Sequence, residues 1–414
     1  MIEPAVEPNA IGFVPPRFGD DVIGGAEAVV AEAARGLARR GHPVEVLTTC
    51  ARDHYTWANE YPAGAEAVAD GLIVRRFATQ TDTSGVHRDR IGARILTGHG
   101  VDIAEQQLWA NDSLRVSELW HHVLDTAGSY RALVFAPYMF WTTYAVGQIA
   151  PGRSIIMPCL HDEPTAGLDI FTSLLAGTHG VWFLTEPEAE LGARLFRLPS
   201  RHAVVGAGLH LPTSYDPDRF RAEYGIDAPY VYYAGRREWG KGWSELVESF
   251  AELVRHHPSD LRLVTSGVGP IDAPSDVADR IVDVGFLSDD QRNNAMAAAT
   301  AYVQPSVMES FSRTVLEAWA AGTAVVANAG SAVVSWHVER AGAGLLYRNG
   351  LELIEALQFV ADRPEAAANL ARGGRAYVEQ HYRWDAVLDR METTLDAWLP
   401  ATAPATAARE RVAP

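Results

Sequence analysis

The alternation at the start of the chain limits its fold more than any other feature. Ile11–Val14 is a short apolar run closed by Pro15-Pro16, which predicts a buried strand. A loop over Arg17–Gly25 leads into Ala26–Arg40. There Ala26, Val29, Val30, Ala33, Ala34 and Leu37 recur at helical spacing, and Gly41 stops the helix. Val44–Thr49 follows as a second strand. Strand, helix and strand in that order make a βαβ unit, which implies a parallel sheet. Further strands are predicted at Leu72–Phe77, Ala132–Phe135, Ser154–Met157, Gly180–Leu184 and Ala203–Val205.

A second βα series begins at Tyr230–Ala234. It runs through Ser244–His256, Leu261–Thr265, Ile281–Val284, Asp289–Ala298, Ala301–Val303, Thr314–Ala321 and Ala324–Ala327. His210–Pro229, rich in Pro, Tyr and charge and without clear periodicity, is read as the hinge between the two series. The length of 414 residues suits two domains. The expected fold class is therefore α/β, two doubly wound Rossmann-like domains with a ligand cleft between the carboxyl ends of their sheets. The expected bounds are residues 1–210 and 211–380. A helix at 381–399 is expected to pack back on the first domain, ahead of a disordered Ala/Pro-rich tail at 400–414.

Charge narrows the function. Residues 1–210 carry 24 acidic and 16 basic side chains and the remainder 28 and 19, so neither half is a basic module. Broad electrostatic binding to nucleic acid or to an anionic membrane is disfavoured. Cys50 and Cys159 cannot make a disulfide framework and have no metal-ligand spacing around them. The N-terminus does not read as a signal peptide, and no run of ~18 apolar residues is available to span a bilayer. A reducing cytoplasm is the expected setting. Of the 35 basic residues only one is lysine, Lys241.

That lysine falls in Gly235-Arg-Arg-Glu-Trp-Gly-Lys-Gly242, directly after a predicted strand and ahead of a helix. Loops at the carboxyl ends of parallel strands face the ligand, so Arg236 and Lys241 can converge on an anion. A solvated turn would carry the same charges. In Pro305–Gly322, Glu309 lies in a loop after a strand and Glu317 in the next helix. Thr314-Val-Leu-Glu317 matches a capping box, so Glu317 is either a cap or a ligand contact. The N–H groups of Phe311, Ser312 and Arg313 lie near that helix start, where an anion is favoured. Gly24-Gly25 precedes the first helix, allowing close backbone approach or simply a tight turn. His161, in Leu160-His161-Asp-Glu-Pro164, would also face the cleft, unless it is an ordinary surface histidine. Asp216-Pro-Asp218 is read as a turn. No metal site is expected.

Taken in order, these motifs resemble the retaining GT-B glycosyltransferases of family 4, over roughly Ile11 to Trp398. Gly-Gly-Ala-Glu27, Gly235-Arg with Lys241-Gly, Ser266-Gly-Val-Gly-Pro270, Gly285-Phe-Leu-Ser288 and Glu309-x₇-Glu317 carry the resemblance. The chain has Glu309-Ser-Phe-Ser312 where the family often has Glu-Gly-Phe-Gly, and Arg313-Thr314 where an apolar residue and Pro are common. The resemblance implies transfer of a sugar from a UDP- or GDP-linked donor, with retention, and no cofactor. It gives Arg236, Lys241, Glu309 and His161 to catalysis. Gly25, Gly267, Phe286, Phe311, Ser312, Arg313 and Glu317 fall to the donor. Glu27, Tyr55, Trp57 and Trp109 are candidates for the acceptor, with packing as the alternative for the aromatic ones. Arg52–Tyr61 and Gly85–Ser113 are read as loop-rich or ambiguous. The acceptor expected is a soluble specialised metabolite, against a polysaccharide or lipid-linked rival. A non-catalytic nucleotide-sugar-binding protein is the alternative of another class. Whether two copies pair as a homodimer stays open.

Overall fold

The computed structural model describes residues 5–22, 24–80, 85–112, 114–257 and 260–401. Most of the expected tail, residues 402–414, lies outside them. The chain divides into two compact units, one holding residues to Phe183, Gly192–Val205 and Leu388 onward, the other Leu184–Leu191 and Gly206–Val387.

The first unit is built on eight strands: β1 (Ala10–Val14), β2 (Val44–Thr49), β3 (Gly64–Ala67), β4 (Ile73–Phe77), β5 (Tyr130–Phe135), β6 (Ser154–Ile156), β7 (Gly180–Phe183) and β8 (His202–Val204). Their order is β3-β4-β2-β1-β5-β6-β7-β8, parallel throughout except that β3 runs antiparallel along β4. β1, β2 and β5 are buried along their whole length, as central parallel strands covered on both faces must be. Gly12 sits where an added Cβ would press 2.7 Å from Leu133, so the bare backbone of β1 makes room for its neighbour. A buried polar knot crosses the sheet. Arg75 on β4 donates to Glu45 on β2 at 2.8 Å, and the Tyr130 hydroxyl on β5 donates to the same carboxylate. The C-terminal helix Trp384–Trp398 closes this unit from Leu388 on. Arg131 donates to Asp396 at 2.6 Å, Arg40 to Asp389 at 2.7 Å, and Trp398 covers Gly180.

The second unit has six strands, all parallel: β9 (Tyr230–Ala234), β10 (Arg262–Ser266), β11 (Ile281–Asp283), β12 (Ala301–Gln304), β13 (Ala324–Asn328) and β14 (Leu345–Tyr347). They lie in the order β11-β10-β9-β12-β13-β14. The chain winds outward from β9 to β11, returns to the other side of β9 and winds outward again. The topological switch therefore falls between β9 and β12, where loops leave the sheet in opposite directions and open a crevice. Helix Trp243–His256 packs its apolar stripe, Leu246, Val247, Phe250 and Leu253, against Val231, Leu263 and Val303. Burying one such side chain is worth about 1.5–3 kcal/mol. That packing anchors the loop ahead of the helix.

Three readings of the sequence change. His210–Pro229 is not aperiodic throughout, because Pro217–Tyr224 is a helix. Asp216 is not part of a turn but its N-cap, accepting from the Arg219 N–H at 3.0 Å, with Pro217 in the first turn. The stretch from Gly85 holds two helices, Val86–Leu96 and Ile103–Asn111. Ser113 itself lies outside the described residues.

Candidate donor site in the second unit

The loop after β9 is held from behind and open in front. Gly235 donates to the Ser266 carbonyl at 3.0 Å. Arg237 turns inward, where Nε reaches the Gly269 carbonyl at 2.8 Å and the two terminal nitrogens fork onto Asp283 at 3.1 and 3.0 Å. This buried arginine ties the loops after β9 and β10 to the end of β11. Its neighbour Arg236 points the other way, half exposed, 3.2 Å from Glu238. A turn of 3₁₀ helix, Trp239–Lys241, then leads into Gly242 at φ 71°. A Cβ at Gly242 would lie 2.5 Å from the Pro305 carbonyl oxygen, so both conformation and space demand glycine here.

Gly242 brings the two switch-point loops into contact, and Lys241 completes the joint. Its ammonium lies 2.9 Å from Glu309 Oε1 and 3.3 Å from the Met308 carbonyl. Glu309 belongs to the loop after β12, so the sheet topology gathers a cation and a carboxylate 68 residues apart in sequence. Gly267 is equally constrained. At φ 125°, its Cβ would run into the Gly235 carbonyl. Phe286 follows β11 and is 64% exposed.

The second loop ends in an unusual turn. Ser312 has φ 60° and ψ 57°, a left-handed conformation costing a non-glycine residue about 1–2 kcal/mol. Gln304, at the end of β12, holds it there by donating to the Ser312 hydroxyl at 2.9 Å and the Thr314 hydroxyl at 3.3 Å. Helix Arg313–Ala320 starts immediately afterwards, with no side-chain cap on its first turn. The capping-box reading of Thr314 and Glu317 is thus corrected: the helix starts one residue earlier and Gln304 engages the Thr314 hydroxyl. Glu317 is buried and forked by Arg292, with Nε and a terminal nitrogen each 3.1 Å from its oxygens. Arg313 Nε lies 2.7 Å from Glu317 as well, at an angle that makes it a charge contact rather than a hydrogen bond. Burial pulls the Arg292 guanidinium down, but the carboxylates of Glu317 and Asp289 outweigh it and hold the group above its ordinary value.

Arg236, Lys241, Gly267, Glu309, Phe311, Ser312, Arg313 and Glu317 therefore belong to loops and a helix start at the carboxyl edge of one sheet. Phe286, after β11, lies in the same unit, and the remaining candidates lie in the first. Gly25 opens helix Gly25–Arg39 with free space beside its Cα, whereas at Gly24 a Cβ would strike the Glu27 carboxylate. Glu27 is buried and paired with Arg17 at 2.5 Å. His161 follows β6; beside it Asp162 pairs with Arg194 at 2.6 Å, and Glu163 accepts from the Tyr138 hydroxyl at 2.8 Å. Trp109 is buried, edge-on to Phe171 at 6.4 Å and under the Arg88 guanidinium at 4.6 Å. Trp57 meets Phe140 edge-on at 5.5 Å, and Tyr55 is 75% exposed. Among the described residues no group of His, Cys, Asp and Glu is placed to hold a metal ion.

Residues 228–363, which contain this whole arrangement, match the family described as glycosyl transferases group 1. A D-inositol 3-phosphate glycosyltransferase of Saccharomonospora viridis is 32% identical over 90% of this chain and 89% of its own. The chain belongs to the group 1 glycosyl transferases. Within them it is also similar to a 2-deoxystreptamine glucosyltransferase of Streptomyces kanamyceticus, 29% identical over 42% of this chain and 50% of that one. Two solved structures share the fold. Sucrose-phosphate synthase from Thermosynechococcus elongatus superposes with a TM-score of 0.72 at 18% identity, covering 95% of this chain and 100% of that one. HepE of Anabaena in complex with UDP-glucose gives 0.69 at 17% identity, covering 94% and 99%. At such identities the likeness concerns the fold alone, two Rossmann-like sheets of the GT-B class.

Four residues that sequence reading passes over brace this arrangement: Arg237 ties down the loop holding Lys241, Arg292 forks onto Glu317, Gln304 donates to Ser312, and His337 Nε2 lies 3.0 Å from the Phe311 carbonyl. Arg292 follows the Ser288 cap by one helical turn, and nothing in its spacing points to a carboxylate 25 residues away.

Proposed function

We propose that this glycosyltransferase moves a sugar from a UDP- or GDP-linked donor to a soluble cyclitol acceptor, with retention at the anomeric carbon. The observation that carries the proposal is the Lys241–Glu309 joint at 2.9 Å beside the left-handed Ser312 turn at the start of helix Arg313–Ala320. A mobile ammonium and two backbone N–H groups at a helix start form a receptor for a diphosphate. As the bond from the anomeric carbon to the β-phosphate oxygen breaks, its electron pair passes to the diphosphate. Lys241, Arg236 and the N–H groups stabilise the growing charge. The acceptor hydroxyl oxygen forms the new bond on the same face and gives its proton to the departing phosphate. Glu309 is assigned to the donor sugar and Glu317 to the ribose hydroxyls.

Several readings are part of the proposal. No resident cofactor is required, because the cations and helix start supply the charge, and turnover is expected to survive a chelator. The cyclitol class rests on the relatives named for D-inositol 3-phosphate and 2-deoxystreptamine, both substituted cyclohexane polyols. A cytoplasmic setting is included. No helix among the described residues is long and apolar enough to cross a membrane.

The test is a matrix of UDP- and GDP-sugars against inositol phosphates, aminocyclitols and phosphatidylinositol vesicles. Nucleoside diphosphate release is measured, and the product anomer is read by NMR coupling. A soluble cyclitol product with the donor's anomeric configuration is expected. An inverted product overturns the mechanism, and transfer only to vesicles overturns the acceptor class.

A further inference from the structure

His337 is fully buried in helix Ala332–Ala341, far in sequence from the motifs above. Both ring nitrogens have partners: Nε2 lies 3.0 Å from the Phe311 carbonyl oxygen and Nδ1 3.0 Å from the Tyr377 hydroxyl. A carbonyl only accepts, so Nε2 carries the proton and Nδ1 accepts from Tyr377. The Tyr377 oxygen in turn lies 2.9 Å from the Tyr382 hydroxyl. Phe311 packs edge-on against His337 at 5.6 Å and against Tyr382 at 5.5 Å.

The consequence follows from the planar trans peptide, in which C=O and the following N–H point in opposite directions. Turning the Phe311 carbonyl towards buried His337 turns the Ser312 N–H away from it. The preceding peptide is fixed in the same way: the Thr185 hydroxyl donates to the Ser310 carbonyl at 3.2 Å, so the Phe311 N–H faces away from Thr185. Among the described residues these two N–H groups donate to no backbone acceptor. The left-handed Ser312 needs such support, since nothing in its own preferences keeps it there.

We propose that His337 is a positioning residue for donor binding: its Nε2–H fixes the Phe311–Ser312 peptide so that the Ser312 N–H meets the donor diphosphate. The inference rests on the donor site proposed above. Burial keeps the ring neutral by drawing its pKa to about 3, which leaves Nδ1 able to accept from Tyr377.

Two near-isosteric variants separate positioning from core filling. In His337→Gln the amide nitrogen reaches the place of Nε2 and still donates to Phe311. In His337→Asn the amide reaches only the place of Nδ1, and the Phe311 carbonyl loses its donor. The wild type, both variants and Lys241→Ala are compared by calorimetric titration with UDP and GDP and by steady-state kinetics. Binding to the Asn variant is expected to weaken about tenfold, with donor KM rising more than kcat falls. The Gln variant is expected to stay within about threefold of wild type. Equal affinities in wild type and Asn variant overturn the inference. So does equal loss in both variants, which would mark a packing role. If the wild type binds neither nucleotide, or Lys241→Ala binds as well as wild type, the donor-site reading fails instead. Independently, ¹⁵N NMR of the histidines should show one Nε2–H tautomer that persists below pH 5; an Nδ1–H tautomer there also overturns it.

Discussion

Replacing Lys241 by Ala removes the only lysine of the chain and strips Glu309 of the ammonium 2.9 Å away. The two side chains are 26% and 15% exposed, so solvent screens them in part. Two unit charges ~4 Å apart interact by about 4 kcal/mol at an effective dielectric of ~20. Only the part that is larger in the transition state than with bound donor speeds the reaction. Losing one well-aimed donor to a developing negative charge typically costs about 3–4 kcal/mol, or roughly 10²–10³ in kcat. Arg236 and the N–H groups of the Ser312 turn remain, which favours the lower end, a fall in kcat of about a hundredfold.

The variant has a second effect with its own signature. Glu309, left without its cation, repels an incoming diphosphate, so the donor KM should rise as well. The double variant Lys241→Ala/Glu309→Ala should recover much of that KM without recovering kcat. Lys241→Arg tests the crowding at the joint, where Gly242 presses on the Pro305 carbonyl. The planar fork is bulkier than the ammonium, and a loss of about tenfold is expected. Steady-state release of nucleoside diphosphate measures all three. A Lys241→Ala enzyme with kcat within about threefold of wild type refutes the reasoning.

Other perturbations read other parts of the design. Gly242→Ala forces a side chain into φ 71° and against a backbone oxygen, and should destabilise the protein by about 2 kcal/mol or more, seen as a lowered urea midpoint; an unchanged midpoint rejects the close approach. Glu317→Gln keeps the size of the side chain but removes the charge facing Arg292, and calorimetry should show nucleotide affinity reduced about tenfold; unchanged affinity rejects the ribose role. His337 gives stability a pH dependence. Its folded pKa is about 3 and the unfolded value about 6.5, so between those limits the unfolded chain binds a proton that the native protein does not. That contribution is intact above about pH 6.5 and is lost steadily as pH falls towards 3. Urea titrations at pH 7 and 5 should differ less in His337→Gln than in wild type, and parallel profiles exclude the linkage.

The sheets were legible in the sequence wherever burial and periodicity coincide. β1, β9, β12 and β13 are largely apolar runs between glycine, proline or polar residues, and each is buried along nearly all of its length. β3 was not legible, because Gly-Ala-Glu-Ala is an edge strand with no buried residue and thus no alternation. Helices Val86–Leu96 and Ile103–Asn111 escaped for a related reason. Val86, Leu96, Ile103 and Leu108 are exposed, while Gln106 is buried, so apolar residues do not mark the inner face. Pro217–Tyr224 buries only Phe220, too little for a stripe.

The site obeys a different logic. Residues that agree with their surroundings encode the scaffold, and residues that disagree with them mark the site. Lys241 stands alone among arginines, Ser312 adopts a glycine-like backbone, Glu317 is a buried carboxylate and His337 is a neutral imidazole in an apolar core. Each carries a local cost that a fold selected for stability alone would shed. What the sequence could not disclose is the compensation: Gln304 for Ser312, Arg292 for Glu317, Tyr377 for His337. Arg292 comes from the helix before β12 and Tyr377 from the helix Pro364–His381, whereas Gln304 reaches Ser312 from the end of the strand that leads into its loop. The exceptions can be found from the chain, but the pairing that makes each one tolerable is a property of the folded contacts, as where Arg292 reaches Glu317 across 25 residues.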